Sequence, residues 1–346
     1  MGRGSLLNLL LIPNPALRYV MIYVDLPDNQ PYKLPFYLAM EEYLAARVEP
    51  DEELFFMWQV GPTVIFGRNQ IAEREVNLAY CRENGIEYYR RRSGGGCVFA
   101  NRDNIMMSYI TGRRADVAST FSHYTSKVAA MLRQLGLNAE ASDRNDILID
   151  GLKVSGNAFY HTPCASIVHG TMLFGADTAT MAAAITPSAE KLRAKGVDSV
   201  RSRITSLDLY LDMPIEEFRR FAREYMTESY ITLTDSDIEE IHRLEQPYYD
   251  HDWIFRLSES RPRHSKRIEA VGEMAVELKL TADGRIADLL ISGDFFELDD
   301  LRREICTPLR GVEFSPRAVE EALAEVSVGN VISGMDKSQL INLLFN

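Results

Sequence analysis

Cysteine is scarce and scattered. Cys81, Cys97, Cys164 and Cys306 are the only four in 346 residues, and no two make a CxxC pair. That spacing excludes a disulfide framework and a cysteine zinc site, and it fits a reducing, cytoplasmic setting. The histidine motifs HxxxH and HExxH are also missing, so no tightly bound transition metal is expected. No apolar run reaches the roughly 20 residues of a membrane helix, so no membrane partner is expected. The run at residues 6–12 is short, sits between Arg3 and two prolines, and lacks a small-residue cleavage site. Residues 1–20 read as an extra leader before a strand pattern near Met21. Basic residues are outnumbered, 38 Lys and Arg against 50 Asp and Glu, for a formal charge of −12. A broad nucleic-acid face needs the opposite balance. A small basic pocket inside an acidic body is still allowed. The chain has no internal repeat and no low-complexity tract.

Apolar residues make up 46% of the chain, enough to fill a core, and the length suits two or three domains. Strands are expected over residues 19–24, 53–60, 63–67, 86–90, 97–99 and 104–110, with Gly61-Pro62 as a turn. Apolar spacing predicts helices over 35–46, 77–84 and 118–135, the last two stopped by Gly85 and Gly136. "DILIDGLKVSGNAFY" reads as a hairpin turning at Asp150-Gly151, and "IVHGTMLFG" as a further strand. Helices are expected over 179–185, 214–227 and 235–245, with a polar loop at "SVRSRITSL". The pattern changes after "QPYYDHDW". Two strands flank Asp283-Gly284, and helices are expected over 298–309 and 316–326. The expected division is a large unit over 21–250 and a small α+β unit over 251–346.

Three segments stand out chemically. In "RRRSGGGCVF" three glycines between strands cost roughly 0.5–1 kcal/mol each against alanine, so something must require them. A tight turn would, and so would backbone amides brought close to an anion. The segment is neither a Walker loop nor GxGxxG after a strand. Strand alternation sends Arg90 and Arg92 one way and Arg91 the other. In "DGLKVSGNAFY", Lys153 follows a turn, with Ser155-Gly156 close behind. In "VHGTMLF", His169, Gly170 and Thr171 form a polar cluster on a strand. Each can equally be solvated surface or structural support.

Taken in order, these segments resemble the lipoate–protein ligase family. "YYRRRSGGGCVF" resembles its RRxSGGGxV segment, "RNDILIDGLKVSGNAFY" its RNDxxxxxxKxSGxA segment, and "HGTMLF" its HGTLL segment. "KLRAKGVDSVRSRITSL" is similar to its adenylate loop, and "ISGDFF" to the GDFF of its accessory domain. The resemblance implies an α/β (α+β) fold of the biotin/lipoyl ligase class, with a mixed-sheet catalytic domain and a small C-terminal domain. It implies that ATP, with Mg2+, activates lipoate as lipoyl-AMP. A lysine of a 2-oxoacid dehydrogenase E2 lipoyl domain, or of the glycine cleavage H protein, then takes the lipoyl group.

By that resemblance Lys153 is the catalytic group, spanning the carboxylate and the α-phosphate. Arg91, Ser93 and the amides of Gly94, Gly95 and Gly96 line the pocket. Asn145 and Asp146 face ATP, Asp146 through its magnesium. Ser155, Gly156 and Ala158 continue the lysine segment, and His169, Gly170 and Thr171 lie near the acyl tail and adenylate. Val98 or Val154 walls the tail. The loop 191–203, with Lys195 and Arg201, closes over the intermediate. Similar octanoyltransferases of one type carry a cysteine near the position of "EASDRND"; none stands here, and Cys97 and Cys164 read as buried or incidental. Four positions depart from the family pattern: Tyr37 in "YLAME", Ala100-Asn101 after the glycines, and Val168 before His169. They leave open an octanoyl or lipoyl transferase, or a non-catalytic binder of lipoyl domains. Arg113-Arg114 and Lys266-Arg267 are candidates for docking an acidic acceptor.

Overall fold

The computed structural model describes residues 20–28, 30–112, 117–142, 145–175, 177–185, 204–262 and 264–345. The chain runs β1 (Met21–Asp25), α1 (Leu34–Ala45), β2 (Glu53–Trp58), β3 (Thr63–Phe66), α2 (Ala72–Glu75), α3 (Leu78–Glu83) and β4 (Glu87–Arg90). It continues with β5 (Val98–Ala100), β6 (Asn104–Thr111), α4 (Val117–Gln134), β7 (Ala139–Ala141), β8 (Asp146–Ile149), β9 (Leu152–His161) and β10 (Ser166–Leu173). Helix Ile215–Met226, β11 (Ser229–Thr232) and helix Asp235–Glu245 follow.

Eight strands form one mixed sheet in the order β11-β1-β2-β6-β10-β9-β8-β7. β1 is parallel to both neighbours, and the remaining pairs are antiparallel. β2 shows how both faces are filled. Leu54, Phe56 and Trp58 join a core with α1, while Phe55 and Met57 join a second core with Phe121, Tyr124 and Val128 of α4. A strand buried on both faces loses its polar alternation. α1 enters at Pro35, whose missing N–H suits a first helical turn. Every residue of α1 except Glu42 is buried, including the carboxylate of Glu41.

A second sheet carries the glycine segment. Its order is β4-β3-β5, with β4 parallel and β5 antiparallel to the central β3. The glycines therefore cross from one edge of this sheet to the other, and a hairpin turn is ruled out as their reason.

Beyond Trp253 and Ile254, which still pack with the first core, comes a third sheet. β12 (His264–Ile268), β13 (Gly272–Leu280) and β14 (Ile286–Gly293) form an antiparallel meander. Met274, Val276, Leu289 and Ile291 pack there against Val319, Leu340 and Leu344. The helix expected over 298–309 is instead one π-helical turn, Arg302–Cys306. The Leu298 N–H is drawn to the Val331 carbonyl, and Thr307 closes back on the Arg302 carbonyl five residues earlier. The helix at Pro316 ends at Ala322. β11 had no signal in the sequence because all four of its residues are exposed, so nothing alternates.

The third unit meets the glycine crossover directly. Gly95 N–H donates to the Phe295 carbonyl at 2.9 Å, and Gly293 N–H to the Asn69 carbonyl at 2.7 Å. Asn69 Nδ2 donates to Glu297 at 2.7 Å. A Cβ on Gly94 would stand 2.4 Å from the Phe295 oxygen. Gly94 thus makes room for protein backbone, while Gly95 has a left-handed φ of 88° and leaves space for the Phe296 ring and the Arg91 guanidinium, where the sequence suggested approach to a ligand. Gly94→Ala is expected to lower folding stability by about 1–3 kcal/mol through this clash. Urea denaturation followed by intrinsic fluorescence reads the loss, and an unchanged midpoint would contradict the packing role.

Candidate functional site

Lys153 stands where β9 outruns β10. The β9–β10 ladder ends at Ser155, paired with Met172. At Lys153 the edge is taken by Ile204 in parallel, with Thr205 N–H donating to the Lys153 carbonyl at 2.8 Å. The ammonium forms an ion pair with Asp146 Oδ1 at 2.7 Å, and the two side chains are 38% and 30% exposed. Gly156 lies opposite Asp146 on the β8–β9 pair. A Cβ on Gly156 would come within 2.6 Å of Lys153 Nζ, so the glycine leaves the space in which the lysine lies. A half-exposed cation and a carboxylate therefore face solvent over a bare patch of backbone.

The strand beneath is clamped by amides. Asn145 Nδ2 donates to the Asn157 carbonyl at 2.6 Å, and Asn157 Nδ2 donates to the Asn145 carbonyl at 2.9 Å. Gly170 lies opposite Asn157, and a Cβ there would sit 2.0 Å from Asn157 Oδ1. Asn145 and Gly170 thus serve this clamp in the structure, and one N–H of the Asn145 amide is committed within the protein.

The three arginines divide as alternation predicts. Arg90 is fully buried and donates to the carbonyls of Gly67, Arg68, Gln70, Trp253 and Ile254. Burial pulls its pKa down to about 9, still high enough to keep it charged at neutral pH. Arg92 reaches the same side, pairing with Glu42 at 2.8 Å and lying over the rings of Tyr248 and Trp253. Arg91 turns the other way. Its Nε donates to Ser93 Oγ at 2.9 Å, and its Nη atoms to the carbonyls of Ile65, Gly94 and Gly96 at 3.2, 2.7 and 2.8 Å. Burial lowers its pKa to about 10, and it too remains charged. Arg91 grips the glycine crossover, so it shapes the loop where the sequence suggested direct contact with a ligand.

Ser93 is also buried, and its Oγ lies 2.7 Å from His169 Nε2. His169 Nδ1 lies 2.8 Å from Glu41 Oε2. The β9–β10 register sets His169 opposite Ala158 and Thr171 opposite Gly156. His169, which bonds the glycine crossover through Ser93, and Thr171, opposite the Gly156 that Lys153 covers, are therefore two residues apart along one strand, roughly 7 Å. Val98 is half-buried at the edge of the first core, whereas Val154 is wholly inside the second and offers no wall to a ligand. Lys195 and Arg201, with the loop 191–203, and Arg113-Arg114 lie outside the described residues. Cys97 is half-buried and Cys164 exposed. Of the departing positions, Ala100 and Val168 fill the two cores. Asn101 bonds Asp103 in the turn before β6, and Tyr37 stacks on Trp58. A hollow of about 410 Å³, lined by Asp28, Tyr32, Phe36, His242 and Glu245 among others, contains none of the expected residues. Glu41 is the residue that reading the sequence missed. Its signal was the pair Glu41-Glu42 in a helix otherwise apolar all round, where an acid turned inward needs a buried partner.

Known proteins are similar to this chain over most of its length. The model of the lipoyl protein ligase A/B catalytic domain matches residues 34–227. The model of the bacterial lipoate protein ligase C-terminus matches residues 259–344. The lipoate-protein ligase LplJ of Bacillus subtilis is 33% identical over 330 residues, covering 92% of this chain and 99% of its own length. The bi-partite lipoate protein ligase of Thermoplasma acidophilum, described with its E2 lipoyl domain, superposes with a TM-score of 0.62 at 26% identity. That match covers 70% of this chain and 99% of the other. A T. acidophilum protein solved with bound lipoic acid superposes with a TM-score of 0.59 at 25% identity, covering 68% and 100%.

The two glycines of the β9–β10 ladder should respond differently to a methyl group. Gly170→Ala meets the Gly156 carbonyl and an amide held through Nδ2, and is expected to cost about 1–3 kcal/mol. Gly156→Ala meets only the tip of a flexible lysine and should cost less than about 0.5 kcal/mol. Parallel urea melts compare them, and equal losses would sink this account of the ladder.

Proposed function

This chain belongs to the lipoate–protein ligase family and is a ligase, and from that premise we propose that it activates lipoate with ATP and passes the lipoyl group to a lysine of a lipoyl domain. The observation that carries the reading is Lys153, a half-exposed cation over Gly156 beside Asp146. A carboxylate is a poor electrophile, and adenylation makes it a mixed anhydride. Two anions must approach for this, so positive charge has to be preorganised where their charges meet. Lys153 supplies a compact ammonium that can follow the charge from carboxylate to phosphate. Its present partner Asp146 keeps it oriented until the anions replace that carboxylate. Gly96, where a Cβ would meet open space, leaves the crossover open to a ligand. His169 and Thr171 on this ladder, with Ser93 bonded to His169, position the acyl group, with Val98 beside it. The loop 191–203, carrying Lys195 and Arg201, would exclude water from the anhydride.

Among the described residues no group of three or more His, Cys, Asp and Glu gathers as a metal cage. A magnesium ion held by one carboxylate and the nucleotide's own phosphates fits this donor set, and Asp146 is that carboxylate. Bound there, the ion would screen phosphate charge. No protein nucleophile is needed, because the acceptor amine attacks the anhydride directly. Acceptors are E2 lipoyl domains and the glycine cleavage H protein, met in the cytoplasm. Lys266 on β12 is exposed and available to an acidic acceptor. Residues 21–250 would form the catalytic unit and 251–346 the accessory one.

The wild-type protein, given ATP, magnesium and lipoate, should add one lipoyl mass to an apo lipoyl domain or apo H protein. Intact-protein mass spectrometry reads the addition, and no added mass on either acceptor would remove the reading. Octanoyl-carrier protein without ATP tests the transferase alternative, with Cys97 and Cys164 variants beside it. Lys153→Ala should lower lipoate-dependent pyrophosphate release on the order of 10²-fold or more, with an unchanged circular dichroism spectrum.

A further inference from the structure

We infer that Glu41 is a positioning residue for the activation step: it fixes the tautomer of His169 and, through it, the hydroxyl of Ser93 on the glycine crossover. The inference rests on the ligase reading only for its effect on rate; the hydrogen-bond directions stand on geometry alone.

Glu41 is wholly inaccessible and sits in a helix with no other buried charge. A buried carboxylate without partners costs several kcal/mol, and this one has two. Ser108 Oγ–H donates to Oε1 at 2.6 Å, while Ser108 itself accepts from Trp58 Nε1–H at 2.9 Å. His169 Nδ1 lies 3.0 and 2.8 Å from the two oxygens. An ionised carboxylate can only accept, so Nδ1 must carry a proton. In the neutral ring Nε2 is then an acceptor. Ser93 lies 2.7 Å away and already accepts from Arg91 Nε–H, so its own proton points to Nε2. Every bond from Trp58 to Arg91 thus has one direction, set by the carboxylate. The chain of bonds ties α1, β6 and β10 to the crossover that Arg91 holds.

Glu41→Gln keeps the shape and changes the donor pattern. Ser108, already receiving the indole, retains the amide oxygen, so the NH2 group faces Nδ1. His169 must then accept at Nδ1 and donate from Nε2. Ser93 would receive two donors, and its proton would lose its acceptor. A reversed tautomer leaves geometry intact and removes function.

Two measurements test this. In the 15N-labelled wild-type protein, with His169 assigned by a His169→Gln variant, long-range 1H–15N spectra above the ring's titration should show Nδ1 protonated and Nε2 bare. Glu41→Gln should show the opposite. In lipoyl-AMP formation Glu41→Gln should lower kcat on the order of tenfold or more. Combined with Ser93→Ala the losses should fall short of multiplying, since both act through one chain. Nε2–H in the wild type overturns the inference, even if Glu41→Gln fails to fold. So does a Glu41→Gln variant with the wild-type tautomer or full kcat, or losses that multiply. If the wild type itself forms no lipoyl-AMP, the ligase reading fails while the tautomer measurement still decides the role of Glu41.

Discussion

The guanidinium of Arg91 is the interaction on which the rest of this site depends. Three glycines in a row have no side chains with which to hold a shape, and the crossover from β4 to β5 gains no ladder of its own. Arg91 supplies what they lack. Its planar fork reaches two glycine carbonyls, the Ile65 carbonyl of the central strand and the Ser93 hydroxyl at once. A lysine, with one ammonium point, could not span these acceptors. The loop is gripped by Arg91 and packed against Phe295, Phe296 and Glu297. What stays open is Gly96 and the approach to the lysine.

The large sheet does the remaining positioning. His169 and Thr171 are carried on β10, Lys153 and Gly156 on β9, and the register between the strands sets their separation. The same strands are buried on their other face by α4, which keeps the ladder rigid. Rigidity suits a reaction that needs two like charges brought together, because donors that need not reorganise stabilise the developing charge most. The exposed edge at Lys153 is also where the chain returns at Ile204, directly after the 191–203 segment. The lysine thus lies at the foot of the segment that the family resemblance assigns to covering the adenylate.

Legibility in the sequence followed burial. β2 could be read as a strand because five apolar residues in a row, Leu54 to Trp58, suit a strand covered on both faces, and α4 because its apolar face repeats with helical spacing. β11, exposed throughout, and β12, largely exposed, offer no such contrast. The 298–309 segment carries a helical pattern, yet its ordered turn is π-helical over Arg302–Cys306, with Thr307 N–H closing on the Arg302 carbonyl. Among candidate residues, the lysine and the glycines announced themselves by motif. Glu41 did not, because which acid of the Glu41-Glu42 pair turns inward is not known until its partner across the core is known.

The sequence by itself determined the family, the buried elements in their order and the residue types gathered for the chemistry, since these follow from local spacing and from segments kept in one order. Only the tertiary structure decided what each residue touches. It assigned Arg90 to backbone carbonyls, Arg91 to the glycines and Asn145 to Asn157. It also decided that Gly94 and Gly95 yield to Phe295 and Phe296. The physical reason is distance along the chain. Glu41 and His169 are separated by 128 residues, Gly95 and Phe295 by 200, and no local pattern records a contact that closes so long a loop.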